Sequence, residues 1–406
     1  MILCETSLYK ANANVIYRYL AQEYNRIKQT GIYFTENNIP IFLNLDIGYF
    51  SFDSKEASFV LGMKQSFNHQ YCCRFCVCPR SNFGLTFIEN SSHVRTEDSF
   101  KSNAQTALSF GSNGDQHGIC HETYLRHFNS EYLYTIAPPC IAHDIFEGVC
   151  IKLLKATYSY FFSKNYITDN FLDIFLDIFS LKGQDKQYFP LIKFSSSSSI
   201  RLTAIESYTF FRFYLLIINT SVPSDDPVRN IIELFVQFLN IIMIYSGPEY
   251  LSSYMNTLVH DILYLINCHL PNEIITLKYH HLIHYGRIFS LFGPLRYLST
   301  INFEAMHSGF KTSIRSSKNW KNPVLTIGNK YARETCLNSE PKIVYESFTP
   351  SFIPLAIQEL LDNNLDHIRS TKSLNINGKN YKINQVVFFK RSERTYGMLI
   401  SSFFSK

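Results

Sequence analysis

Two pairs of metal-binding side chains, far apart along the chain, place the tightest constraint on how this sequence can fold. Cys73 and Cys76 stand in YCCRFCVCP (71–79), with Cys72 and Cys78 beside them. Two thiolates separated by two residues can both reach one tetrahedral zinc ion. His280 and His284 stand in LKYHHLIHYGR (277–287). Four apart, they share one face of a helix, while His281 points elsewhere. A lone Cys pair supplies only two ligands, so ordinary buried cysteines and histidines are the alternative, and His69 offers a further local ligand. No second Cys pair follows at finger spacing. If the fold brings the two pairs together, two thiolates and two imidazoles complete a structural zinc site. That site would close a connection of about two hundred residues.

Most of that connection predicts helix. From 138 to about 301 the apolar spacing is helical, with breaks at 180–186, 195–199, 222–226 and 247–248. The most apolar stretches are 210–218, interrupted by Arg212, and 231–245, interrupted by Glu233, Gln237 and Asn240. Neither approaches the roughly eighteen uncharged residues of a bilayer span, so both are expected to be buried helices and no membrane partner is expected. With 406 residues, 46% hydrophobic and 17% charged, the chain can bury a large core in one extended domain or two to three smaller ones. The polar stretch 1–14 predicts no signal peptide. Ten cysteines without such a signal argue for a reducing, intracellular compartment, where clustered thiols bind metals more often than they form disulfides. A formal charge of +5 permits contact with a polyanion without requiring it.

The remaining segments supply candidate acids and bases. Residues 11–28 carry apolar side chains at helical spacing and end at Thr30-Gly31. Residues 39–52, IPIFLNLDIGYFSF, predict a buried strand, with Asp53 just beyond it where sheet proteins commonly hold catalytic carboxylates. Residues 82–118 are polar and predict a loop. A helix over 303–318 begins with Glu304, which spacing alone makes a first-turn acid favoured by the helix dipole. His307, Lys311 and Arg315 recur along it and Lys318 follows, which makes it the candidate DNA contact. CIAHDIFEG (140–148) opens the helical region after Pro138-Pro139, with Cys140, His143, Asp144 and Glu147 as a cluster of open role. Residues 376–401 alternate like a small antiparallel β unit turning at Asn377-Gly378. The expected divisions are 1–80, a polar loop region at 81–137, a helical insertion at 138–276, the His pair and Glu-bearing helices at 277–337, and a linker with the β unit at 338–406.

Five stretches, in this order, resemble the transposases of the CACTA (En/Spm) group: VLGMKQSFNHQYCCRFC (60–76), PPCIAHDIFEGV (138–149), IRLTAIESYTFFRF (200–213), LKYHHLIHYGR (277–287) and INFEAMHSGFK (301–311). The resemblance implies an α/β fold with a large all-α insertion, that is, an RNase H-like core interrupted by a helical insertion domain. It implies two Asp and one Glu holding two magnesium or manganese ions for DNA cleavage and strand transfer at transposon ends. The family's second Asp falls on Asp53 and its Glu on Glu304, its Cys pair on Cys73 and Cys76, and its histidines on His280 and His284. The split zinc site looks like that of the related V(D)J recombinase catalytic subunit. As there, the acid precedes the first cysteine by about twenty residues (Asp53 to Cys73) and the Glu follows the last histidine by about twenty (His284 to Glu304). Cys140 and His143 meet the Asp/Cys-x-x-His signature of the superfamily. DNA as partner, a nuclear location and assembly as a homo-oligomer are further implications.

The family's first Asp lies on an opening strand. Here only Glu5 is acidic ahead of the first long helix, and Asp46 would lie about 23 Å from Asp53 along one strand. The expectation is therefore an incomplete RNase H-like core lacking its N-terminal part, with little or no strand transfer by this chain alone. A co-opted, non-enzymatic zinc-stabilised module for nucleic acid or protein is the alternative, and a helical scaffold with a chance Cys pair is a third.

Overall fold

Amphipathic spacing and polar caps cut most of this chain into helices. The computed structural model describes residues 6–345 apart from 37–38, 111–114, 116, 129–135, 169, 180, 191, 193–199, 319–320 and 340–342, together with strand segments between 369 and 405. The chain divides into two compact units, Glu5–Met306 and a second one that begins at His307.

In the first unit, α1 (Thr6–Ala11) leads into α2 (Ala13–Thr30), the helix expected at 11–28, which buries Ala13, Tyr17 and Ala21. Gly31 ends it at φ 66°, where a Cβ would sit 1.9 Å from the Phe42 ring. β1 (Ile32–Glu36) and β2 (Ile39–Leu43) then form an antiparallel hairpin with Ile32 opposite Leu43. The buried strand expected over 39–52 is corrected on both counts. It stops at Leu43, and its Phe42 and Leu43 are each 44% exposed. Residues 44–53 continue without regular structure, because their rings find tertiary partners instead: Phe50 stacks with Phe52 at 6.0 Å and meets Phe128 edge-on at 5.2 Å. A short apolar run cannot distinguish these outcomes by periodicity. Asp46, expected on the same strand, is held instead by Lys28 at 2.9 Å and by the Tyr24 hydroxyl at 2.5 Å. Among the described residues of this unit, the β1–β2 hairpin is the sheet present.

Asp53 opens α3 (Ser54–Val60). The polar stretch 82–118, expected as a loop, contains α4 (Glu97–Ser109). Thr96 and Ser99 satisfy each other's backbone in a reciprocal cap, Glu97 and Asp98 complement the dipole, and Phe100, Ala104 and Ala107 turn inward. Its small alanines hid that apolar stripe within a polar composition.

The region expected to be helical is helical. A π-helical segment, Ala142–Val149, runs into α5 (Cys150–Ser163). α6 (Phe171–Ile178), α7 (Gly183–Tyr188), α8 (Ala204–Ile218), α9 (Pro227–Ile242) and α10 (Leu251–His269) follow. The expected breaks at 222–226 and 247–248 separate α8, α9 and α10, whereas α7 intrudes into the break at 180–186, and 195–199 lie outside the described residues. Local chemistry sets the starts: Thr203 and Glu206 form a capping box, and Asp226 caps α9 with Pro227 in its first turn. Phe210, Phe211, Tyr214, Phe235 and Phe238 are fully buried, and each ring removed from water contributes about 1.5–3 kcal/mol. The residues that interrupt the apolar runs face outward, Arg212 to Asp185 at 2.6 Å and Glu233 to Arg229 at 3.0 Å. No helix among the described residues is long and apolar enough to cross a membrane.

α11 (Leu277–His281), a 3-10 turn (Leu282–His284) and α12 (Tyr285–Phe292) carry the His motif. α13 (Ile301–Ser317) matches the helix expected at 303–318. In the second unit α14 (Pro323–Ser339) sets Tyr331 edge-on to Phe310 at 6.0 Å. The expected β unit appears as antiparallel pairs. β3 (Ile343–Tyr345) and β6 (Lys379–Lys382) flank β5 (Ser373–Ile376), β4 (Arg369–Thr371) pairs with β9 (Phe403–Ser405), and β7 (Val386–Arg391) pairs with β8 (Arg394–Leu399). Asn377-Gly378 lies outside the described residues, between paired Ile376 and Lys379.

Candidate metal centre

The thiol pair and the imidazole pair meet. Cys73, Cys76, His280 and His284 are all buried, and their ligand atoms lie within 4.8 Å of one another. Cys73 Sγ is 3.4 Å from His284 Nε2, and Cys76 Sγ is 3.1 Å from His280 Nε2. Metal bonds of about 2.3 Å to sulfur and 2.0 Å to nitrogen, arranged tetrahedrally, require S···N edges of about 3.5 Å. The two S···N distances are close to such edges, with the four atoms as corners, and the cluster can hold a metal ion such as zinc. Its electrostatics agree. Burial opposes ionisation of Cys73, yet the hydrogen bond from Cys76 and the charge of His284 hold its thiol well below the ordinary range. Hydrogen bonding to Cys73 and burial push Cys76 up. Two thiolates this close need a cation to ionise together. His69 and the neighbouring thiols take no part: His69 faces Asp115 at 3.3 Å, and Cys78 Sγ lies 3.6 Å from Thr86 Oγ1.

Several residues that sequence reasoning passed over build the walls. Phe83 stacks flat on the His280 ring at 3.9 Å, and Phe75 packs against His281 and His284. Arg95, 3% exposed, donates through Nε to the carbonyls of Cys73 and Cys76 at 3.0 and 3.1 Å, which shapes the thiol-bearing turn. Glu89 accepts from His284 Nδ1 and is paired with Arg287. Beside this centre His281 Nδ1 lies 2.8 Å from Asp144 Oδ2. Ser54 Oγ donates to Asp144 Oδ1 at 3.1 Å and accepts from Arg74 at 3.3 Å. The π-helical segment thus turns Asp144 inward while Glu147 stays exposed, so Asp144, of open role in the sequence, is part of the core.

The other candidates are placed as follows. Asp53 caps α3, its Oδ1 accepting from Glu56 N at 2.7 Å. Glu304 and His307 lie on α13, their side chains outside what is described. Lys311, Arg315 and Lys318 are exposed. Cys140 Sγ accepts from Thr300 N at 3.3 Å and lies 3.2 Å from His143 Nδ1, so this pair fastens the residue ahead of α13. The Tyr49 hydroxyl donates to the Tyr297 carbonyl at 2.9 Å, which joins the segment leading to Asp53 to the one leading to Glu304. Comparison with known protein families and with curated proteins finds no match to this chain.

Proposed function

We propose that this chain is transposase-derived, a DNA-handling protein of CACTA type in the nucleus whose helical insertion is pinned by a structural zinc ion. The observation that carries this reading is the meeting of the Cys and His pairs, 204 and 211 residues apart across the two closest S···N contacts, in the order and spacing by which the sequence resembles that family. Two thiolates and two imidazoles favour zinc over magnesium or calcium. Lys311, Arg315 and Lys318 supply cations for phosphate contacts. Asp53 and Glu304 are the carboxylates for magnesium or manganese. Two-metal phosphoryl transfer asks carboxylates to offset the repulsion of ions about 3.5–4 Å apart, and two acids are few for that task, so strand transfer by this chain alone is expected to be weak or absent.

A co-opted, non-enzymatic binding module is the second reading, favoured by the engagement of Asp53 as a helix cap. One experiment separates them: the zinc-loaded chain is mixed with labelled DNA bearing terminal repeats, with and without manganese. The first reading and a nucleic-acid-binding module both expect salt-dependent binding, its salt slope reduced by about one for each of K311A and R315A. Nicking lost in D53N and E304Q supports the enzyme lineage, binding without any nicking supports the module, and absence of DNA binding overturns the DNA-handling function.

A further inference from the structure

The two imidazoles of the candidate centre are not held alike. His280 is covered by Phe83, and its Nδ1 has no hydrogen-bond partner among the described residues. His284 Nδ1 is hydrogen-bonded to the Glu89 carboxylate, and Arg287 Nε lies 3.0 Å from each Glu89 oxygen. A neutral imidazole carries one ring proton, and the nitrogen without it is the one free to ligate. A carboxylate accepting from Nδ1 therefore leaves Nε2 as the ligating atom, and that is the nitrogen facing Cys73. We propose that Glu89 is the positioning residue of the metal centre: it fixes the tautomer and ring angle of His284 and raises its basicity towards the ion, while Arg287 keeps Glu89 in place. This role rests on the metal centre proposed above.

The chain order supports it. Glu89 lies between two 3-10 turns, Arg80–Leu85 and Ser91–His93, thirteen residues after Cys76. The same segment thus brings Cys73 and Cys76 to the inner side of the imidazole pair, Phe83 to the face of His280 and Glu89 to the back of His284. Charges also close. A divalent ion with two thiolates is neutral, and Glu89 with Arg287 is neutral, so the carboxylate adds no uncompensated charge behind the ligand. Orienting partners of this kind are worth about 10–100-fold in metal affinity.

The test measures zinc affinity of the full chain by competition with a chromophoric chelator, and the absorption spectrum of its cobalt-substituted form. E89Q keeps the size of the side chain and removes its charge. It is expected to bind one metal per chain about 10–100-fold more weakly, with shifted cobalt d–d bands, whereas E233Q, which loses a comparable surface ion pair to Arg229, keeps wild-type affinity. R287Q, with Glu89 present but unclamped, is expected to weaken zinc binding in the same direction, and it answers the question should E89Q not fold. Zinc affinity within twofold of wild type and an unchanged cobalt spectrum in either variant would overturn the role of Glu89 alone. A wild-type chain that takes up neither zinc nor cobalt would overturn the metal centre itself.

Discussion

His281 and Asp144, 137 residues apart, form an ion pair at 2.8 Å with side chains only 1% and 0% exposed. Although burial opposes both charges, His281 holds the Asp144 carboxyl below its usual range, and Asp144 lifts His281. The pair joins the π-helical segment to α11 beside the candidate ligands, so α11 is held to the thiol-bearing turn by ligand atoms and to the π-helical segment by charge.

Removing one partner of that pair strands the other in the core. D144A and H281A are each expected to lower the stability of the metal-loaded protein by about 3–5 kcal/mol, and the double variant by clearly less than the sum. Urea unfolding measures all three, and a D144A midpoint equal to wild type would show that the pair is not a tie.

Four ligands and two bystanders distinguish the metal centre from a generic thiol cluster. C73S, C76S, H280A and H284A are expected to reduce zinc well below one per chain, while C72S and C78S keep it. Chelation of the wild-type protein should lower its melting temperature, since the ion bridges segments more than two hundred residues apart. Elemental analysis alongside thermal unfolding checks both, and full zinc in H280A would remove His280 from the ligand set.

Asp53 caps α3 through its carboxylate. D53A should therefore cost about 0.5–2 kcal/mol, and D53N, which still accepts the Glu56 N–H, only a few tenths. Comparing the two by thermal unfolding separates capping from any metal-dependent role, because a cleavage defect in D53N cannot then be attributed to lost stability.

Gly148 lets α11 approach the π-helical segment. A Cβ there would meet Lys278 Cδ at 2.4 Å and the His143 carbonyl at 2.9 Å, while Lys278 Nζ itself donates to that carbonyl at 2.7 Å. G148A is expected to cost about 1–3 kcal/mol through overpacking. Adding K278A should recover part of that loss in the same denaturation assay, since it clears one of the two obstacles. No recovery would place the clash on the backbone alone.

Much of the helical region could be read directly from the residues. Thr203 with Glu206, and Asp226 before Pro227, are start signals within a single turn, and the apolar spacing of α9 follows one helical face. The strand expected through Asp53 and the loop expected at 82–118 went wrong for opposite reasons. Phe50 packs against Phe128, more than seventy residues away, with Phe52 stacked on it, and α4 owes its existence to a cap and a stripe of alanines that composition conceals.

The sequence by itself determined which side chains can bind a metal, because the x-x spacing of Cys73 and Cys76 and the helical spacing of His280 and His284 are local geometry. Only the tertiary structure decided that these pairs face one another, that Glu89 stands behind His284, and that His281 turns away to Asp144. The physical reason is range: backbone periodicity reports neighbours within a few turns, whereas contacts across 137 to 211 residues are selected by the packing of the whole core and leave no trace in local spacing.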